Sequence, residues 1–301
     1  MNSHEIKEHI KKGELLLHIG DFSARLKAQS SIVLDHLHDM YRDYKFADHG
    51  SQLHDHYLDI RAPNVLRGLI KQQIVPDPGF QFPAVPLPEK MAALAFEMGL
   101  NISVALRTYR YLILHAGVVA NSKGSVIISA ASGGGKSTLT SLLMEKGFRL
   151  LSDEFGIVDL ETVKLRPYPR PVSLKNESIE VVREIAGDDW ISDIIKDGPK
   201  GDVAYRRARP NDIENSNIHA SAKLVLFPKF EKGAVATLTK VKNADTVMRL
   251  LASSTNYQVI GEKAFTALND LSSTAEAYEM VYGSSEDALR LFGEISTDMG
   301  L

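Results

Sequence analysis

The sequence predicts an α/β fold, and three observations carry that prediction. Short apolar runs of strand composition alternate with helical patterns through the middle of the chain. A glycine-rich stretch, Ser132-Gly133-Gly134-Gly135-Lys136-Ser137, lies between one such strand and one such helix. An acidic pair, Asp153 and Glu154, closes the strand that follows the helix.

The elements follow in order. "ELLLHIG" and "HDHYLDIRA" have the composition of short strands, and "SSIVLDHLHDMY" carries Ile32, Val33, Leu37 and Met40 at helical spacing. "VPDPGFQFPAVPLPEK" holds five prolines and must be an extended connector, because proline neither continues a helix nor donates to a ladder. A boundary is expected there, giving a small α+β region over 1–88 and a larger unit over 89–301. "EKMAALAFEMGLNISVALRTYR" opens the second unit as a helix. "YLILHAGVVA" predicts one strand, "NSKG" a turn and "SVIISA" a second strand. "KSTLTSLLMEKG" predicts a helix ending at Gly147 in a left-handed cap position, and "FRLLSDE" the next strand. "GIVDL" and "VKLRPY" predict a hairpin. The C-terminal part is rich in helical signals, the last of them opened by a capping box with Ser284 and Asp287.

Composition excludes several classes. Across 301 residues the formal charge is −3, too mild for a nucleic-acid or membrane-surface binder. The chain has no cysteine, which removes disulfides and thiolate metal sites. The opening "MNSHEIKEHIKKGELLLHIG" is too charged for a signal peptide, and no apolar run approaches the ~20 residues of a membrane span. A cytoplasmic location is therefore expected.

Residues 130–137 match a phosphate-binding loop, or Walker A motif, at every position but the first, where Ala130 replaces glycine. Gly133, Gly134 and Gly135 allow consecutive N–H groups to turn inward toward an anion, and the helix that begins near Lys136 adds its positive end. Lys136 is expected on the outer phosphates and the Ser137 hydroxyl on Mg²⁺, with Ser132 and Thr138 completing the cradle. Ala130 fits if its φ stays negative. A glycine turn that only caps a helix is the plainer alternative.

Only 17 positions separate Lys136 from Asp153, room for one helix and one return strand. The acidic pair is then expected at the C-terminal end of the strand next to the loop, where α/β sheets gather their ligands. Transport and motor ATPases place their acidic pair far downstream, and the LSGGQ-like segment of transporters is absent. A carboxylate this close to a γ-phosphate suits a general base for an attacking hydroxyl, or a metal ligand. Glu154 is a metal ligand or a salt-bridge partner.

The segments "LHAGVVA", "SGGGKST", "GFRLLSDE", "PYPRPVSLKNESIEVV" and "SSTNYQVIGEKAFTALNDLSSTAEAYEMVYG" resemble the HPr kinase/phosphorylase family, and more closely its branch of HPr-kinase-related kinases. The resemblance runs from about residue 109 onward, with a weaker echo in "GDFSARLKAQSSIVLDHLHDMY". It implies the mixed sheet that the family's catalytic domain shares with PEP carboxykinase, and an ATP- and Mg²⁺-dependent kinase acting on a serine-type hydroxyl. It places the proton-transferring role on Asp153, a position beside the transferred phosphate on His115, and the metal on Ser137, Asp153 and Glu154. The family's signature segment begins with glutamate and arginine two residues apart, and here Ser173 and Lys175 stand there. Ser173 supplies no carboxylate, so either a metal ligand is missing or Glu154 substitutes for it, and Lys175 keeps the charge without the bidentate fork. The reverse phosphorylase reaction is not expected, nor is recognition of HPr, because the first 100 residues do not resemble the family's regulatory domain. Family members commonly form rings, so a homo-oligomer is possible.

Other basic and aromatic residues have two readings each. Lys200, Arg206, Arg207 and Arg209 form either a mobile loop closing over ATP or a solvated surface. Arg166 and Arg170 flank a proline-rich turn, with Arg170 either structural or within reach of phosphate. His36, His38, His54 and His56 form i, i+2 pairs that would share a face on a strand, but they read as surface histidines. Trp190 reads as a helix anchor.

Three activities fit these observations. The first is a serine kinase for a peptide or small protein. The second is a kinase for a small hydroxyl metabolite, and the third is a non-catalytic nucleotide sensor. A long open cleft separates the first from the second, which needs a closed pocket.

Overall fold

The computed structural model describes residues 1–50, 52–64 and 72–301. Helix α1 (Ser3–Lys12) opens with Asn2, whose side chain accepts from the Glu5 N–H while the Glu5 carboxylate accepts from Asn2. Strands β1 (Leu15–Ile19) and β2 (Phe22–Ala28) form a hairpin, and β2 alternates strictly between buried and half-buried residues. Helix α2 (Ser31–Met40), β3 (Lys45–Asp48), β4 (His56–Arg61), β5 (Gln73–Asp77) and β6 (Leu87–Pro88) follow. The strands make a six-stranded sheet in the order β3-β1-β2-β4-β5-β6. Pro78, Pro83 and Pro86 lie in the open connector between β5 and β6. Helix α3 (Ala92–Arg107) packs on β4 and β5, where Gly99 sits against the Leu58 side chain.

Two histidines expected at the surface are buried. His36 lies on a helix rather than a strand, so it does not share a face with His38, and its Nε2 is 2.8 Å from the Glu97 carboxylate. His56 is 4% exposed and stacked on Phe22 at 6.0 Å. Both fill apolar space that the i, i+2 pattern gave no sign of.

The larger sheet has nine strands. The first are β7 (Tyr111–Leu114), β8 (Gly117–Asn121) and β9 (Gly124–Ile128). Helix α4 (Lys136–Glu145) leads to β10 (Arg149–Ser152), β11 (Gly156–Asp159) and β12 (Lys164–Arg166), and β11 and β12 form the expected hairpin. A separate three-stranded sheet pairs β13 (Val172–Lys175), β14 (Ile195–Gly198) and β15 (Gly201–Arg206), with helix α5 (Glu177–Ala186) between β13 and β14. Helix α6 (Pro210–Glu214) precedes the long β16 (Ala220–Phe230), which pairs in parallel with β9 and with β18 (Glu276–Tyr282). Strand β17 (Thr237–Lys240) pairs with β18. Helices α7 (Asn243–Ser253), α8 (Tyr257–Ile260), α9 (Glu262–Thr274) and α10 (Ser285–Met299) complete the chain, and the Ser284 Oγ accepts from the Asp287 N–H to cap the last.

Two features differ from the sequence reading. "YLILHAGVVA" is two strands broken at His115 and Ala116: β7 joins β11, while β8 joins β9 and β10. The run is apolar on both faces, so its pattern cannot show the break. Consequently β10 is not adjacent to β9; β8 lies between them, antiparallel to both. Trp190 anchors no helix. It ends a single 3₁₀ turn, and the Arg207 guanidinium lies 4.4 Å from its ring centroid.

Alternate residues of the central strands divide between two cores. Val126, Ile128, Leu224 and Leu226 join a cluster with Leu139 of α4 and Phe292 of α10, while Ile127, Val225 and Phe227 join one with Leu250 of α7 and Leu268 of α9. Each such side chain stabilises the fold by about 1.5–3 kcal/mol. The first cluster continues into the smaller sheet through Leu15, Leu37, Phe96 and Leu100. The chain is thus a mixed α/β protein with multistranded mixed sheets. Among the described residues no helix is long and apolar enough to cross a membrane.

Candidate active site

The turn between β9 and α4 is shaped by its glycines. Gly133 and Gly135 take φ of 83° and 92°, and Gly135 caps α4 without any side-chain bond, so the first-turn N–H groups carry no cap from a side chain. The Gly134 N–H bonds back to the Ala131 carbonyl at 3.0 Å. A Cβ on Gly134 would stand 3.0 Å from the Ala130 methyl, so the missing glycine at 130 is accommodated by the one at 134. Ala130 keeps its φ out of the positive region.

The acidic pair sits beside this turn despite the intervening β8. The Ser137 hydroxyl donates to Asp153 Oδ2 at 2.8 Å. Lys136 Nζ donates to the Asp153 carbonyl at 2.5 Å and lies 3.6 Å from Glu154 Oε2. His115, in the break between β7 and β8, places Nδ1 3.4 Å from that same oxygen. The break corrects the strand reading and at the same time puts the histidine at the sheet edge.

Burial and charge treat the two carboxyls differently. Asp153 is 3% exposed, and burial pushes its carboxyl up from the usual range, against the pull of Lys136. Burial also acts upward on Glu154, but Lys136, His115, Lys175 and Arg170 outweigh it and hold that carboxyl low. Burial and Lys136 push His115 down, toward the neutral imidazole. Neighbouring carboxyls pushed apart in this way are suited to different tasks, one exchanging a proton and one remaining an anion.

His115, Lys136, Ser137 and Glu154 open onto a cavity of about 640 Å³, with Asp153 buried beside Ser137. Ser132, Gly133, Gly135, Lys136, Ser137, Thr138, His115 and Glu154 line it, as do Ser173 and Lys175 from β13. Asn176 follows with φ 52°, and its side chain accepts from the Asp202 N–H, fastening the end of β13 to the β14–β15 turn that brings Lys200 to the rim. The opposite wall comes from α3, through Leu94, Glu97, Met98 and Asn101, together with Arg170. Phe230 and Tyr282 stand beside the glycine turn.

Three arginines read as a possible closing loop do other work. Arg206 is buried and donates to the Ser141 carbonyl at 2.7 Å and to Glu145. Arg209 bonds the Met144 and Phe148 carbonyls and Asp212, tying off the end of α4. Arg207 stacks on Trp190. Arg166 pairs with Asp21 and Asp159. The α3 wall that carries Glu97 and Asn101 shows no motif in the sequence. Only the rigid "YPRP" turn around Arg170 gave a signal.

No protein-family model matches the chain, and no curated protein matches it. Among solved structures, the Hpr(Ser) kinase/phosphatase from Coxiella burnetii aligns with 62% of this chain and 95% of its own, at 11% sequence identity and a TM-score of 0.26. A likeness at that level carries no argument by itself.

Proposed function

We propose that this chain is an ATP-dependent phosphotransferase that moves the γ-phosphoryl group to a hydroxyl acceptor. One observation carries the reading: the lysine and serine of a glycine turn at a helix N-terminus both bond the buried Asp153, and they line one cavity together with Glu154. The cavity's volume of about 640 Å³ falls within the ~300–1,000 Å³ range of ligand pockets.

The residues fit Mg²⁺. Asp153 Oδ1 is buried without a hydrogen-bond partner, and it sits with a serine hydroxyl and a second carboxylate, the hard oxygen set such a cation takes. Ser137, Asp153 and Glu154 would hold it, and when bound it supplies charge neutralisation on the phosphates.

The turn's N–H groups and Lys136 bind and orient the triphosphate. Asp153 takes the proton of the acceptor hydroxyl as its oxygen bonds to the γ-phosphorus. The bond from that phosphorus to the β–γ bridging oxygen breaks and ADP leaves. Lys175, on the same wall, lies where it would steady charge on the transferred group. Neutral His115 beside Glu154 adds a donor without a second positive charge.

Calorimetric titration with ATP and Mg²⁺ tests this reading. Wild type is expected to bind, and Lys136→Ala to weaken binding by about 10–100-fold, the loss of one charged hydrogen bond. Absence of binding by wild type at millimolar nucleotide overturns it.

A further inference from the structure

The cavity continues past the acidic pair to a wall the proposed transfer does not use. There Arg170, 6% exposed, is held in a polar network assembled from three distant segments. Its Nη2 donates to Asn101 Oδ1 and lies 3.4 Å from Glu97 Oε2. Glu97 is fixed in turn, since its Oε1 accepts from His36 Nε2 and from the Tyr41 hydroxyl, both at 2.8 Å. The Tyr168 ring lies beneath the guanidinium at 5.5 Å.

The network leaves donors over. Among the described residues, Arg170 Nη1 is buried without a hydrogen-bond partner, and the half-buried Asn101 amide is committed only through its oxygen. A buried guanidinium with an unspent N–H is costly, and the arrangement persists because Glu97 anchors the charge. Both residues line the cavity. Leu94, Met98 and Val203 provide apolar surface around them. Helix α3 walls this end, so the space suits a compact molecule better than an extended peptide.

We propose that Arg170 and Asn101 form the anion-recognising end of the acceptor subsite, and that the acceptor is a small hydroxy acid whose carboxylate they bind. The inference rests on the phosphotransferase reading. The planar guanidinium fork matches a carboxylate, and an amide N–H₂ beside it completes the recognition. With its carboxylate at α3, the acceptor presents its hydroxyl toward the part of the cavity lined by Lys136, Ser137 and Glu154, where Asp153 is bonded to Ser137. Both residues are binding residues and neither exchanges a proton.

The experiment measures ADP release by the full chain with ATP and Mg²⁺, supplying L-serine, D-glycerate or glycolate against glycerol, ethanolamine and an end-blocked serine peptide. Hydroxy acids are expected to outpace the neutral, cationic and blocked acceptors by at least about tenfold. Asn101→Ala and Arg170→Lys are expected to raise the KM for the acid about tenfold or more, while calorimetry shows the ATP dissociation constant within about twofold of wild type. Urea midpoints of both variants verify folding, and Asn101→Ala, which removes no charge, serves if Arg170→Lys does not fold. Equal rates with neutral acceptors, preference for the blocked peptide, or a change in ATP affinity rather than acceptor KM overturns the subsite while leaving phosphoryl transfer intact. Failure of wild type to bind ATP overturns both.

Discussion

The Ser137 hydroxyl donates to Asp153 Oδ2 across 2.8 Å, joining the first turn of α4 to the end of β10. The bond spans a strand that sequence spacing did not place there, because β8 separates β9 from β10. It holds because the helix starts at Gly135 and the strand ends at Ser152, so both termini meet at one sheet edge. With Lys136 bonded to the Asp153 carbonyl, the pairing sets the acidic residues against the glycine turn before any ligand arrives.

Asp153→Asn separates chemistry from binding and from stability. Asparagine keeps the size and an acceptor for Ser137 but takes no proton. Phosphoryl transfer is expected to fall by about 10²–10⁴-fold, with metal-free ATP binding retained. Burial penalises the Asp153 anion, and a carboxyl raised above its unfolded value contributes stability only below the unfolded pKa, losing it as pH rises through the folded one. On the alkaline side of the folded value that contribution is gone, so there metal-free Asp153→Asn is expected to melt higher than metal-free wild type. Undiminished transfer removes Asp153 from the proton-accepting role, and a lower melting temperature contradicts the electrostatic account.

The glycine turn was legible because its requirements are local: positive φ at 133 and 135, and a helix start immediately after. The β11–β12 hairpin and the α10 cap were legible for the same reason. The break at His115 was not, since β7 and β8 are buried on both faces and their pattern does not alternate. Nor were the roles of Arg206, Arg207 and Arg209 legible. Their partners Glu145, Trp190 and Met144 are remote in sequence, and a basic cluster looks the same whether solvated or bonded. The Glu97–Arg170 pair was hidden likewise, one partner lying in a helix and the other in a turn 73 residues on.

His56 predicts an acid-labile fold. Both of its ring nitrogens are buried without partners, and burial pushes its pKa down to about 4. The folded state holds it neutral, while the unfolded chain takes up a proton below about 6.5. Its contribution is present above that value and is lost as pH falls toward 4, by roughly 3 kcal/mol in all. Urea unfolding at pH 7, 5.5 and 4.5 reads this loss, and His56→Phe is expected to flatten the profile over that window. A profile as steep in the variant as in wild type assigns the acid sensitivity to other groups.

Glu97 is predicted to matter more than an ordinary buried carboxylate. It is 3% exposed and compensates Arg170, and it also accepts from His36 and Tyr41. Glu97→Ala strands the guanidinium in the core, an uncompensated charge costing about 3–5 kcal/mol. Glu97→Gln keeps an acceptor and the shape while losing the charge, and is expected to cost less. Thermal melts of the two variants measure the difference, and equal melting temperatures would show that Glu97 acts through its charge alone.

Gly135 faces two constraints that can be separated. Its φ of 92° disfavours any side chain, and a Cβ there would overlap the Tyr282 hydroxyl. Gly133 shares the first constraint alone, with φ of 83° and open space around it. Gly133→Ala is therefore expected to cost about 1–2 kcal/mol of backbone strain and a correspondingly modest loss of ATP affinity. Gly135→Ala must also displace Tyr282 from between the turn and Phe230, whose ring lies 5.8 Å from the tyrosine's, and is expected to lose ATP binding outright. Adding Tyr282→Phe removes the hydroxyl that the methyl meets, so the double variant should regain affinity toward the level of Gly133→Ala. Calorimetric titration of the three proteins measures it. No recovery in the double variant would mean that backbone strain, rather than the tyrosine contact, makes glycine necessary at 135.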